Sequence, residues 1–130
     1  NSGRPSIMST IKANTLLHSD GSTTTAPSIP ALDKRMAKVF CRFDMSTAVI
    51  SQSYNVSSIT DQGVGTFQLN YTNNIPNAAN IQLADGVAVV TWTGAETAIL
   101  SGNASSCRVY HVENGTVRDS TRVSCVVFSN

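Results

Sequence analysis

The chain has 130 residues, of which 41% are hydrophobic and 13% charged, and a formal net charge of +1 at neutral pH. That length allows one domain burying roughly two thirds of its unfolded surface and argues against two. The near-neutral balance excludes the electrostatic footprint of a nucleic-acid binder and an acidic binding surface, leaves the surface to Ser, Thr, Asn and Gln, and weakens repulsion between copies, which favours self-association.

The first 35 residues read as an extended arm. Pro5, Pro27 and Pro30 and the tract G-S-T-T-T-A-P-S-I-P at 21–30 carry too few apolar residues for an independent core. Met8 opens M-S-T-I-K as a natural start would, so residues 1–7 are either a cloning remnant or upstream coding sequence. The basic-then-apolar order of a signal peptide is missing, and no apolar run approaches the roughly 20 residues that span a bilayer, so a soluble protein without membrane insertion is expected. Ile11, Leu16, Leu17, Ile29, Leu32 and Met36 are expected to be buried only where chains meet, as subunit contacts. A-L-D-K-R-M-A-K at 31–38 fits either a turn or two of helix, with Leu32 and Met36 on one side, or an extended lead-in to the first strand.

From residue 36 the pattern is that of an antiparallel β-sandwich, jelly-roll-like: strand after strand bounded by Gly, Asn and Asp. A-K-V-F-C-R-F (37–43) puts Val39, Cys41 and Phe43 on one face. T-A-V-I-S-Q-S-Y (47–54) and the following V-S-S-I-T form a second strand, broken at Asn55. D-Q-G-V-G (61–65) is a glycine turn, and in T-F-Q-L-N-Y Phe67, Leu69 and Tyr71 alternate with Gln68 and Asn70, as a sheet with one wet face requires. Tyr54 to Tyr71 is therefore predicted to be a hairpin. After the loop N-N-I-P-N-A-A-N come I-Q-L-A (81–84), a turn at Asp85-Gly86, and V-A-V-V-T-W-T (87–93), whose continuous apolar character predicts a strand buried on both faces. S-C-R-V-Y-H-V (106–112), a type I′ turn at Asn114-Gly115 and T-R-V-S-C-V-V-F (121–128) close the chain, with the C-terminus inside the fold.

Chemistry-bearing residues are sparse. Cys41, Cys107 and Cys125 are an odd count without metal or redox spacing and are expected to be buried free thiols. His18 falls in the arm and His111 in a strand, where a structural role is expected. The carboxylates Asp20, Asp33, Asp44, Asp61, Asp85, Glu96, Glu113 and Asp119 are scattered, with no G-x-S-x-G elbow, no histidine pair at ligand spacing and no calcium loop. The expectation is no catalysis, no metal and no cofactor. For binding, loops offer amides that suit sugars: Asn73, Asn74, Asn77, Asn80 and Asn103 are the receptor-contact candidates, while Trp92 is assigned to packing.

Y-N-V-S-S-I-T-D-Q-G-V-G-T-F-Q-L-N-Y-T-N-N-I-P-N-A resembles a recurring module of tail fibres and related virion proteins of tailed bacteriophages, marine and cyanobacterial phages in particular. M-S-T-I-K-A-N-T, I-P-A-L-D-K-R-M-A-K-V-F and V-R-D-S-T-R-V-S-C-V-V-F-S-N resemble its start, entry and exit, so the likeness spans most of residues 8–130. Val39-Phe40-Cys41-Arg42 departs from the Trp, Val and Asn often found after the Ala-Lys entry. The resemblance implies a homotrimeric structural virion protein, assembled in the bacterial cytoplasm, whose arm meets other virion proteins and whose β head attaches to a host-surface glycan or protein. A capsid decoration or tail-assembly protein, and a free lectin-like carbohydrate-binding module, are the alternatives.

Overall fold

Alternation of apolar and polar side chains builds the strands, and the burial of one side of each decides how they stack. In the computed structural model residues 3, 12–15, 17, 21, 35–90 and 93–129 are described. The chain divides into two units, Asn1–Pro30 and Ala31–Asn130. In the first, Leu17 is exposed. The expected contacts Ile11, Leu16, Ile29 and Leu32 lie outside the described residues, as do His18 and Trp92.

The second unit is a β-sandwich. Its strands are β1 (Val39–Asp44), β2 (Val49–Tyr54), β3 (Val56–Asp61), β4 (Thr66–Tyr71), β5 (Ile81–Gly86), β6 (Glu96–Gly102), β7 (Ser106–Glu113), β8 (Thr116–Val117) and β9 (Val123–Phe128). Sheet 1 has the order β2-β1-β9-β5; sheet 2 has the order β3-β4-β7-β6, with β8 paired to β7. All pairings are antiparallel. No helix occurs among the described residues; of 31–38 only 35–38 are described, a turn and bends that lead into β1, and Met36 is exposed.

Val39, Cys41 and Phe43 of β1 and Val123, Cys125 and Val127 of β9 turn inward from sheet 1, and Phe67, Leu69, Cys107 and Val109 meet them from sheet 2. The rings of Phe43 and Phe67 stand 5.7 Å apart, and the sulfurs of Cys107 and Cys125 3.9 Å apart, each pair joining the two layers. All three cysteines are buried free thiols. Burial pushes the Cys41 thiol up to about 12, where no thiolate nucleophile forms at neutral pH.

Asn55 does more than interrupt a strand. It adopts φ 57°, a conformation that Asn tolerates, and turns the chain from sheet 1 into sheet 2. Its amide holds the corner, donating to the carbonyls of Lys38 and Asn73 and accepting from the Asn73 N–H. The hairpin expected over Tyr54 to Tyr71 is formed by β3 and β4, with Tyr54 left as the last residue of β2. Positive φ at both Asn114 and Gly115 makes the tight β7–β8 turn. Ser129, the last described residue, is buried.

Three expectations change. Asp85 and Gly86 make no turn; they continue β5 against Ser124 and Val123. Gly86 serves close approach: a Cβ there would lie 2.3 Å from Thr97 Oγ1. Residues 87–90 form no buried strand, and Val90 is 65% exposed. Here the chain crosses from sheet 1 to sheet 2; the Val87 N–H donates to the Arg122 carbonyl and the Ser120 hydroxyl, and the Val89 and Val90 N–H groups donate to the Glu113 carboxylate. Finally, E-T-A-I-L-S-G forms a strand unforeseen from sequence, since Glu, Ala and Gly are poor strand formers. Pairing with β7 imposes it.

Gly65 occupies the left-handed region at φ +65, and a Cβ would lie 2.5 Å from Val117 Cγ1 and 2.6 Å from the Arg118 carbonyl oxygen. Gly63 also has positive φ but faces open space. Gly65→Ala is expected to lower unfolding free energy by about 3 kcal/mol or more, and Gly63→Ala by about 1 kcal/mol, in urea melts. Equal losses would contradict the packing account.

Candidate functional site

Two groupings of polar side chains stand out, one sealed and one open. The sealed one begins with the inward positions of β7, where His111 and Glu113 continue the row of Cys107 and Val109. His111 is 0% exposed. Its Nδ1 lies 2.6 Å from Thr97 Oγ1 and its Nε2 3.1 Å from Glu113 Oε1. The Glu113 carboxylate accepts from the N–H groups of Val89 and Val90, the latter at 2.9 Å. Ser120, also buried, donates to the Val87 carbonyl and accepts from the Val87 N–H.

A hydroxyl, an imidazole and a carboxylate in line have the composition of a nucleophile, base and orienting acid. Yet these groups face the crossover backbone, Gly86 closes over Thr97 and His111, and the carboxylate is engaged with main-chain donors. The arrangement fastens the crossover 87–90 to β7 by satisfying donors that no strand reaches. His111 thus has both ring nitrogens within hydrogen-bond distance of side chains of the same unit. Glu113 was indistinguishable in sequence from the other scattered carboxylates.

The open grouping lies on the outer face of sheet 1. Phe40, Arg42 and Asp44 alternate with the inward side chains of β1 and point outward with the even-numbered residues of β9. At the β1–β2 end Arg42 and Asp44 border a cleft of about 460 Å³ that Arg122, the residue before β9, also lines. Asp44, Thr47, Ser51 and Thr121 add oxygen atoms, and exposed Val49 apolar surface. Asp44 Oδ1 accepts from Ser46 N–H at 2.7 Å, Ser46 Oγ at 2.6 Å and Thr47 N–H at 3.3 Å, closing the turn before β2. These bonds, the Ser46 hydroxyl first, hold its carboxyl below the usual range.

The loop candidates cluster at the other end of β1, beside Asn55. Ile75 N–H donates to the Ala104 carbonyl, so the structure brings the 73–80 and 103–106 loops together. Within them most amides are committed to the chain itself. Asn77 Oδ1 accepts from Ala79 N–H, Asn80 donates to the Asn77 and Ala78 carbonyls, and Asn103 Oδ1 accepts from Ser105 and Ser106. Asn73 and Asn74 are exposed. Sequence reasoning missed the cleft because Arg42 and Arg122 are far apart in the chain; the available signal was the outward parity of Arg42 beside Val39, Cys41 and Phe43.

Among the described residues no group of three or more His, Cys, Asp or Glu is arranged to hold a metal ion. No helix among them is long and apolar enough to cross a membrane.

Glu113→Ala leaves two crossover N–H groups without their acceptor and is expected to cost about 2 kcal/mol or more in denaturant unfolding; a loss within experimental error would show that the carboxylate does not hold the crossover. For Asp44 the folded pKa lies below the ordinary 3.8. Its contribution is therefore complete above that value and is lost as pH falls through the lowered folded value. Asp44→Asn should be less stable than the parent at neutral pH, with the gap closing below pH 3.8 in acid melts.

No protein-family model matches the chain, and no curated protein and no solved structure matches it either.

Proposed function

We propose that the chain is a non-catalytic structural protein of a tailed-phage virion, of the tail-fibre type, which assembles as a homotrimer and attaches to a host surface. Support comes from the likeness of Tyr54–Tyr71 and its flanks to fibre modules, and from a fold in which His111 and Glu113 are engaged internally.

The observation that carries the assembly reading is a contrast between the two outer faces. That of sheet 2 is polar: Gln68, Asn70, Ser58 and Thr60 hydrogen-bond to one another across β3 and β4. That of sheet 1 carries an apolar row over all four strands, because the registers align Tyr54 with Phe40, Phe40 with Val126, and Val126 with Leu83. Phe128 and Ile81 extend it by a second pair. Leu83 is 60% and Ile81 66% exposed, and the Phe40 and Tyr54 rings stack at 5.7 Å. A contiguous apolar surface on a sheet face is a contact surface, and a chain of low net charge is suited to meet copies of itself there.

Light scattering after size exclusion tests this. The expected mass is near three times the 13.8 kDa of one chain. Leu83→Asp removes a side chain whose burial contributes about 1.5–3 kcal/mol, which weakens association by about tenfold or more. A parent protein that stays monomeric at all concentrations would overturn the trimer. Adsorption of the parent to host cells tests attachment separately.

A further inference from the structure

The geometry points to the Arg42–Arg122 cleft as a binding site for an acidic saccharide, its carboxylate held by the two guanidinium groups and a neighbouring hydroxyl by Asp44. This rests on the attachment reading above and names the ligand class that the β head would take.

Each part of the cleft selects for a part of such a ligand. Arg42 and Arg122 both line it, and among the described residues neither guanidinium forms an ion pair or hydrogen bond within the chain. Two unpaired guanidiniums on one cleft provide forked donors that match the geometry of a carboxylate. Both residues are exposed, so their donors are hydrated and available. Asp44 lies in the same cleft and is held ionised by Ser46 and Thr47. A carboxylate there opposes a bare inorganic anion, but it accepts hydrogen bonds from a ligand hydroxyl, since an ionised carboxylate has more acceptor positions than the turn uses. Thr47, Ser51 and Thr121 suit further sugar hydroxyls, and exposed Val49 offers apolar surface to a ring's C–H face. At about 460 Å³ the cleft has room for a small ligand.

The alternating positions of sheet 1 keep the cleft apart from the apolar row. The registers place Gln52, Arg42, Ser124 and Asp85 in a polar row beside Tyr54, Phe40, Val126 and Leu83, on the side toward the β1–β2 turn. Arg122 and Asp44 lie farther toward that turn.

The test is an NMR titration of the nitrogen-15-labelled full chain with a galacturonic acid trimer, a neutral galactose trimer and sodium sulfate. The uronate trimer is expected to bind saturably with a dissociation constant on the order of 1 mM, moving the amide signals of Thr47, Ser51 and Thr121. The neutral trimer and sulfate are expected to bind at least about tenfold more weakly, because each lacks one half of the complementary set. Arg42→Ala and Arg122→Ala, both at exposed positions, should each weaken uronate binding about tenfold while melting temperature and native mass stay unchanged. Arg122→Lys should recover only part of the loss.

Absence of uronate binding by the folded protein, equal binding of the neutral trimer or of sulfate, unchanged affinity in both alanine variants, or shifts confined to residues 73–80 and 103–106 would each overturn the assignment. Any of these results with a trimeric mass would leave the assembly reading standing. A monomer that binds uronate through the two arginines would overturn the trimer and support the cleft.

Discussion

Sheet 1 is held together by β9, which lies between two strands from much earlier in the chain. β9 bonds to β1 on one side and β5 on the other, so the sheet has no continuous hydrogen-bonded path from β1 to β5 until the C-terminal segment is in place. Non-local pairing of this kind must overcome loop-closure entropy before its contacts contribute. Everything discussed for sheet 1 follows from that placement. Val126 joins Phe40 to Leu83 in the apolar row, and the lead-in to β9 brings Arg122 to the cleft that Arg42 and Asp44 border.

Polar groups are handled in opposite ways in the two parts of the sandwich. Around the crossover they are paired: His111 with Thr97 and Glu113, Glu113 with the crossover backbone, and Ser120 with Val87, whereas the buried Tyr71 hydroxyl and Arg118 Nε have no hydrogen-bond partner. A buried donor or acceptor without a partner costs more than a hydrogen bond contributes, so an irregular crossover beside a buried strand end requires such a network. On the outer face of sheet 1 the exposed Arg42 and Arg122 guanidiniums have no partner among the described residues and are left to solvent.

Strands with strict alternation were legible in the sequence. Val39, Cys41 and Phe43, then Phe67, Leu69 and Tyr71, announce their buried faces because the period of two is a property of the strand itself. So do the turn signals at Gly63, Gly65, Asn114 and Gly115. The continuous apolar run from Val87 misled because hydrophobicity without alternation does not distinguish a buried strand from a crossover. Asp85-Gly86 misled for a related reason: glycine is required both by turns and by close packing, and only Thr97 and His111 above it show which applies. Of the site, the outward parity of Arg42 was readable; its partnership with Arg122 was not.

The sequence by itself determined an all-β chain, the inward faces of its regular strands, the hairpin within Tyr54–Tyr71, and the break at Asn55, because these depend on local backbone preference and the two-residue period of a strand. Tertiary structure decided which strands became neighbours, that Glu113 and His111 would close a crossover, that one outer face would be apolar, and that two distant arginines would share a cleft. Those outcomes depend on register between segments far apart in the chain, and register is set by the packing of whole faces against each other rather than by any one segment.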